Sequence, residues 1–282
     1  MNSPETSSMP PVYPENLSQP GNQETPNPHR EGESKDLPYR VILSTKEMFE
    51  SAEQPLTQSV GFAEQPYPGD DQDAILFDTA NNLYGVFDGL GVHSDSARAA
   101  RLAAVTVRGQ MAENKSRDPA EVEILLISAL EKASSAILDD IQHYGEDKDI
   151  GGTTSTVVKI VEQNNTKYLV WASVGDSRIY IKHPRDDLEL ITRDEIKDYH
   201  IDNTLGKFFR RGVSQYGYLE VMPGSVVTLV TDGITGSYGE SALEDYELQD
   251  VLDADISAQM TAEMLLAISR KEDDKAVVVL RF

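Results

Sequence analysis

Short apolar runs bounded by turn residues constrain this chain more than any other feature of its sequence. Val41-Ile42-Leu43, Val60-Gly61-Phe62, Ala74-Ile75-Leu76-Phe77 and Leu83-Tyr84-Gly85-Val86-Phe87 read as strands, with Asn81-Asn82 as a turn between the last two. After Gly151-Gly152 the strand pattern returns over residues 153–161, 167–174, 178–182 and 188–191. Gly175-Asp176-Ser177 is expected to join two of these strands as a hairpin turn. Further strands cover 226–231 and 277–280.

Helical periodicity separates these groups. Residues 94–114 carry Ala97, Ala100, Ala104 and Val107 at helical spacing, small enough for close packing on a sheet. The next helix begins with Asp118 as N-cap, Pro119 in the first turn and Glu121 three positions after the cap. Its stripe of Val122, Leu125, Leu126, Ala129, Leu130, Ala133, Ile137 and Ile141 is a core face. A later helical region contains 257–270. This order of elements predicts an α+β sandwich with helices outside paired sheets.

Residues 1–37, rich in Pro, Ser, Asn and Glu, lack the apolar periodicity needed for burial and are expected to be a disordered tail, leaving 38–282 as one domain. No apolar run approaches the roughly 20 residues of a membrane-spanning helix, and the polar start lacks the apolar stretch of a signal peptide, so a cytoplasmic location is expected. Cysteine is absent, which excludes disulfides, thiolate nucleophiles and thiolate metal ligands. Lys and Arg total 25 against 48 Asp and Glu, a formal net charge of -23. Such a surface opposes binding to nucleic acid or an anionic membrane and favours divalent cations and basic peptide segments.

Most of these carboxylates belong to a solvated acidic surface. A few stand instead at strand ends: Asp71-Gln72-Asp73 entering one strand, Asp88-Gly89 leaving another, Asp232-Gly233 leaving a third and Asp273-Asp274 entering the last. Asp-Gly alone is equally a turn signal. Carboxylates held at the ends of buried strands can converge, and convergent buried carboxylates need neutralising by hard cations such as Mg2+ or Mn2+.

The ordered set Val86-Phe87-Asp88-Gly89-Leu90-Gly91-Val92-His93, Gly152-Thr153-Thr154, Val174-Gly175-Asp176-Ser177-Arg178, Val230-Thr231-Asp232-Gly233-Ile234 and Asp273-Asp274-Lys275-Ala276-Val277 resembles the motifs of the protein phosphatase 2C family, from about residue 58 onward. The resemblance implies a four-layer αββα sandwich of two mainly antiparallel sheets flanked by helices. It also implies hydrolysis of phosphoserine or phosphothreonine in proteins with two Mn2+ or Mg2+ ions and possible use of a third. By position, Asp88 resembles the carboxylate bridging both ions and Gly89 a backbone-carbonyl ligand. Asp232 and Asp273 resemble ligands of the first ion, Asp73 resembles a residue holding metal-bound water, and Asp149 resembles one that helps bind the third ion.

The chain departs from the family pattern in several places. Pro68 stands where the family has a phosphate-binding Arg, Asp71 replaces an Asn, Val92 replaces a Gly and Ala276 replaces a Thr. Leu90 stands where some members have a general-acid His, and His93 is read as a solvated loop residue. The segment between Thr192-Arg193-Asp194 and Leu205-Gly206 is shorter than the family's substrate-selecting flap. The expected function is an active, metal-dependent phosphatase acting on phosphoproteins in signalling. Its alternative is a weakly active or inactive phosphatase-like phosphoprotein-binding module.

Overall fold

The computed structural model describes residues 40–43, 56–67, 72–90, 94–144, 151–198, 200–237 and 242–282. The expected tail over 1–37, and Pro68, Asp71, Gly91, Val92, His93 and Asp149, lie outside the described residues.

In chain order the strands and helices begin with β1 (Arg40–Leu43), β2 (Ser59–Gln65), β3 (Ala74–Asp78), β4 (Leu83–Phe87), β5 (Gly89–Leu90), α1 (Ser94–Met111) and α2 (Pro119–Tyr144). The middle of the chain forms β6 (Gly152–Thr153), β7 (Ser155–Gln163), β8 (Thr166–Val174), β9 (Arg178–Lys182), β10 (Leu188–Leu190), β11 (Ile196–Lys197) and β12 (His200–Ile201). The remainder forms β13 (Gln215–Glu220), β14 (Val226–Val230), α3 (Asp232–Thr235), α4 (Asp245–Asp253), α5 (Ala258–Ile268) and β15 (Lys275–Arg281).

Among the described residues, six strands build one sheet in the order β1-β3-β4-β7-β8-β13, and five build a second in the order β10-β9-β14-β15-β2. Pairing is antiparallel throughout both sheets except for β1 against β3, which is parallel. Alternation along each strand divides its side chains between two cores. Ile75, Phe77, Val86, Val158 and Ile160 meet Ile179, Ile181, Val227, Leu229, Val278 and Leu280 between the sheets. Leu76, Phe87, Val157 and Val170 face the other way, onto Ala100, Ala104 and Val107 of α1 and Leu126, Leu130 and Ala133 of α2. Val226, Val230, Val277 and Val279 of the second sheet pack on Leu248 and Leu252 of α4 and Ala258, Ala262 and Leu265 of α5. These three cores separate four layers, the αββα order. Each fully buried Val, Leu or Ile contributes about 1.5–3 kcal/mol. A one-residue register slip would swap the cores, so the pairing is strongly specified.

The helix N-terminus read from sequence is present: Asp118 Oδ1 accepts from the backbone N–H of Ala120 at 2.9 Å and of Glu121 at 3.2 Å. The hairpin expected at Gly175-Asp176-Ser177 is not. β8 pairs with β7 and β13 in the first sheet, whereas β9 pairs with β10 and β14 in the second. The three residues carry the chain across the sandwich, with Gly175 at φ 101° making the bend. Glu195 fixes this crossing, accepting from Gly175 N–H at 2.9 Å and from Asn203 Nδ2 at 3.0 Å. A bidentate pair from Arg178 to Asp194, at 2.8 and 2.7 Å, secures the far side.

On the second sheet, edge strand β2 lies directly against α5. Gln259 covers its backbone, accepting from Phe62 N–H at 3.2 Å and donating to Phe62 O at 3.0 Å. A Cβ on Gly61 would stand 2.3 Å from the backbone nitrogen of Gln259 and 2.4 Å from its Cα. Gly61→Ala is therefore expected to push α5 away from β2 and to lower stability by about 1–3 kcal/mol. Urea denaturation against the wild type measures the effect, and Gly61→Val should cost more.

Candidate active site

Two short backbone ladders set the geometry of the site. Asp88 follows the last residue of β4. Its N–H donates to Thr154 Oγ1 at 3.0 Å, while its carbonyl accepts from Thr154 N–H at 2.8 Å and Thr153 Oγ1 at 2.9 Å. Gly89 then pairs with Thr153, and Leu90 with Gly152. A Cβ on Gly89 would lie 2.5 Å from the carbonyl oxygen of Ser96 and 2.7 Å from that of Gln72, so only glycine lets these three backbone segments close. Thr154 Oγ1 also shares a 2.7 Å hydrogen bond with Ser177 Oγ, linking the Asp88 turn to the sheet crossing that carries Asp176.

A second group comes from the ends of β14 and β15. Thr231 leaves β14 and donates its hydroxyl to Asp73 Oδ2 at 2.8 Å; Asp232 opens α3. Gly233 lies so close to β15 that a Cβ there would meet the carbonyl oxygen of Asp274 at 1.8 Å. Asp274 accepts from Tyr67 N–H at 2.6 Å and Gln72 N–H at 3.1 Å, tying the segment before β3 to the start of β15. Asp273 Oδ2 is 2.8 Å from the Lys271 ammonium, which also contacts Asp232 Oδ2.

The fold thus brings Asp73, Asp88, Asp232 and Asp273, all read from the sequence, to one end of the sandwich, and adds Asp176, which was not read as a site residue. Both oxygens of Asp176 are buried with no hydrogen-bond partner. Burial pushes the Asp176 carboxyl up to about 7 from its ordinary value of 3.8, with Asp232 and Asp194 adding repulsion. Asp88 is held well above the usual carboxylate range by burial and then by Asp73, Asp232, Asp176 and Asp273. Asp73 is raised in the same way, by burial against the lowering effect of its Thr231 hydrogen bond and the raising effect of Asp274, Asp232 and Asp273. Burial also raises Asp232, although Lys271 opposes the shift and a hydrogen bond with Asp88 offsets part of it. Carboxylates in this state are short of positive charge.

The signal for Asp176 was present in the sequence, since it too follows an apolar strand. A turn assignment absorbed it. Leu90 occupies the short ladder with Gly152 and supplies no titratable group. Ala276 lies in the core between the sheets.

The donors fit a hard divalent cation: all are oxygens, Gly89 leaves its backbone free of side-chain bulk, and Asp176 holds two buried oxygens without partners. As the side chains stand, no group of three or more His, Asp or Glu among the described residues is arranged to hold one ion. Lys271 instead lies between Asp232 and Asp273.

Two packed sheets flanked by helices, with aspartates gathered at one end, make an αββα sandwich with an acidic end. The sequence profile of the family described as Protein phosphatase 2C matches residues 68–277, and the chain belongs to that family. Membership places it among the protein serine/threonine phosphatases. The chain has no significant sequence match among curated proteins. Solved structures share the fold. PppA, described as a key regulatory component of T6SS in Pseudomonas aeruginosa, superposes with a TM-score of 0.64 at 21% identity, covering 80% of this chain and 98% of that one. The S. agalactiae serine/threonine phosphatase gives 0.67 at 19% identity, covering 79% and 98%. The Mycobacterium tuberculosis serine/threonine phosphatase PstP/Ppp gives 0.63 at 19%, covering 79% and 97%.

The raised Asp176 carboxyl has a pH signature in metal-free protein. The folded chain holds this proton up to about pH 7 whereas an unfolded chain releases it near 3.8, so folding stability falls as pH rises through that interval. Asp176→Asn removes the penalty. In chelator, the variant should be more stable than wild type above pH 7, by an amount on the order of 2–4 kcal/mol, with the gap closing toward pH 4. Thermal or urea unfolding across this range measures the difference.

Proposed function

We propose that this chain hydrolyses phosphoserine and phosphothreonine in proteins with water as nucleophile, using two Mn2+ or Mg2+ ions held by Asp88, the Gly89 carbonyl, Asp232 and Asp273. The observation that carries the reading is the cluster of Asp73, Asp88, Asp176 and Asp232, each raised first by burial and then by neighbouring carboxylates, a burden that bound cations would relieve. A related fold supports it: the catalytic domain of serine threonine protein phosphatase PstP, with a TM-score of 0.63 at 19% identity, is described in complex with 2 manganese ions.

When bound, the ions supply the Lewis acidity that activates a water and offsets charge on the phosphoryl oxygens. The protein's own contribution is positional. Thr153 and Thr154 lock the Asp88 backbone, and Gly89 allows the close approach of Ser96 and Gln72 beside it. Thr231 orients Asp73, whose carboxylate would hold a metal-bound water. A water oxygen bonds to phosphorus as the P–O bond to the serine or threonine side chain breaks, and the departing oxygen takes a proton.

Asp149 is the residue proposed from the family resemblance to assist a third ion. Asp176 is the additional carboxylate that faces Asp88 and Asp232, and it strengthens the cation-binding character of the same end of the sandwich. Phosphorylated proteins are the proposed partners, in a cytoplasmic signalling role. The net charge of -23 disfavours nucleic acid and anionic membranes as partners. Among the described residues, no helix is long and apolar enough to cross a membrane.

The wild type should hydrolyse a small aryl phosphate and a phosphothreonine peptide with added Mn2+, and chelation should abolish turnover. Even outer partners of a metal ligand contribute about 10–100-fold, so Asp88→Asn should lose at least about a hundred-fold in kcat/KM. Its circular dichroism should match wild type. Asp232→Asn and Asp273→Asn should each lose most activity. Tight phosphopeptide binding without Mn2+-stimulated turnover would instead identify a phosphoprotein-binding module.

A further inference from the structure

Lys271 is the one basic side chain seen in direct contact with the proposed ligands among the described residues, and its placement follows from how the chain enters β15. α5 ends at Ile268, and Ser269 then anchors the loop by donating its hydroxyl to Gly233 O at 2.7 Å. Arg270 N–H donates to Ala242 O at 3.2 Å. At the far end Asp274 is held by Tyr67 and Gln72. The loop is therefore fixed on both sides, and Lys271, two residues before Asp273, points to the same side as that carboxylate. Its ammonium contacts Oδ2 of Asp232 and lies 2.8 Å from Oδ2 of Asp273.

We infer that Lys271 is a tethered counter-cation that competes with metal for Asp232 and Asp273, so that the site loads only by expelling its ammonium. The inference rests on the reading that these two aspartates are metal ligands. An ammonium is a compact charge with three donors, and it occupies the same carboxylate oxygens that a hard divalent ion requires. Two cations drawn to one pair of carboxylates repel each other, so a metal ion entering there opposes the ammonium's contact. The side chains of Lys271 and Asp232 are 18% and 14% exposed, so their contact is largely desolvated yet close enough to water for the lysine to swing out. The consequences run in opposite directions. Without metal, Lys271 offsets part of the carboxylate repulsion and steadies the fold; with metal, its displacement raises the concentration needed for loading. The chain thereby has a metal threshold written into a residue that binds no metal.

Titration calorimetry with Mn2+ on the full chain, paired with melting in chelator, tests this. Lys271→Met should bind Mn2+ with a Kd about ten-fold or more below wild type, because a charge-assisted contact no longer has to be broken. The same variant should melt at lower temperature in chelator and gain more on adding Mn2+. Lys271→Gln should behave alike, and it serves where the Met variant does not fold. Lys271→Arg, which keeps the charge, should remain a weak binder. Equal or weaker Mn2+ binding by both neutral variants, with wild type binding measurably, would overturn the inference while leaving the metal reading intact. No Mn2+ uptake by wild type or variants would overturn both.

Discussion

Burial of carboxylates side by side at one end of a sheet sandwich is the constraint on which the other features of this protein depend. Asp73, Asp88, Asp176 and Asp232 are driven there by backbone geometry, not by affinity for one another. Each sits at or just beyond the end of a mainly buried strand, so the hydrophobic energy of the three cores holds the charges in place. On the proposed function the fold bears the electrostatic cost in advance and a bound cation would relieve it. The raised carboxyls and the partnerless oxygens of Asp176 are expressions of that stored cost.

Small residues make the convergence possible. Gly89 and Gly233 stand where separate backbone segments approach within contact distance, and any side chain would push them apart. Hydroxyls do the complementary work. Thr153, Thr154 and Ser177 join the Asp88 turn to the sheet crossing, while Thr231 joins β14 to Asp73. Both sheets therefore contribute to one site through short, buried hydrogen bonds, and a change in their relative placement would be felt at every carboxylate.

The binding of substrate is less built than the chemistry. The loop between Asp194 and Leu205 is reduced to the β11–β12 hairpin, apart from which Glu195 and Asn203 serve the sheet crossing. Exposed Lys207, Arg210 and Arg211 follow Leu205, which pairs with Thr153 of the short ladder beside Asp88. Arg210 and Arg211 are both paired with Asp202.

The sequence by itself determined most of the strands and the carboxylates at their ends, because apolar runs of a few residues bounded by turn signals are a local property. It also determined the α2 cap at Asp118, a contact spanning only two or three residues. Tertiary structure alone decided which strand pairs with which. The step at Gly175-Asp176-Ser177 has the local signature of a hairpin, yet Glu195 and the second sheet draw β9 away from β8, and that displacement makes Asp176 a site residue. β13, with its half-exposed alternation around Gly217, and α4, an acidic helix opened by Glu247 accepting from Glu244 N–H at 3.1 Å, carried too little apolar pattern to be read. Lys271 is the sharpest case: its neighbours in sequence are charged and exposed, and its role exists only because α3 and β15, far apart in the chain, place Asp232 and Asp273 on either side of one ammonium.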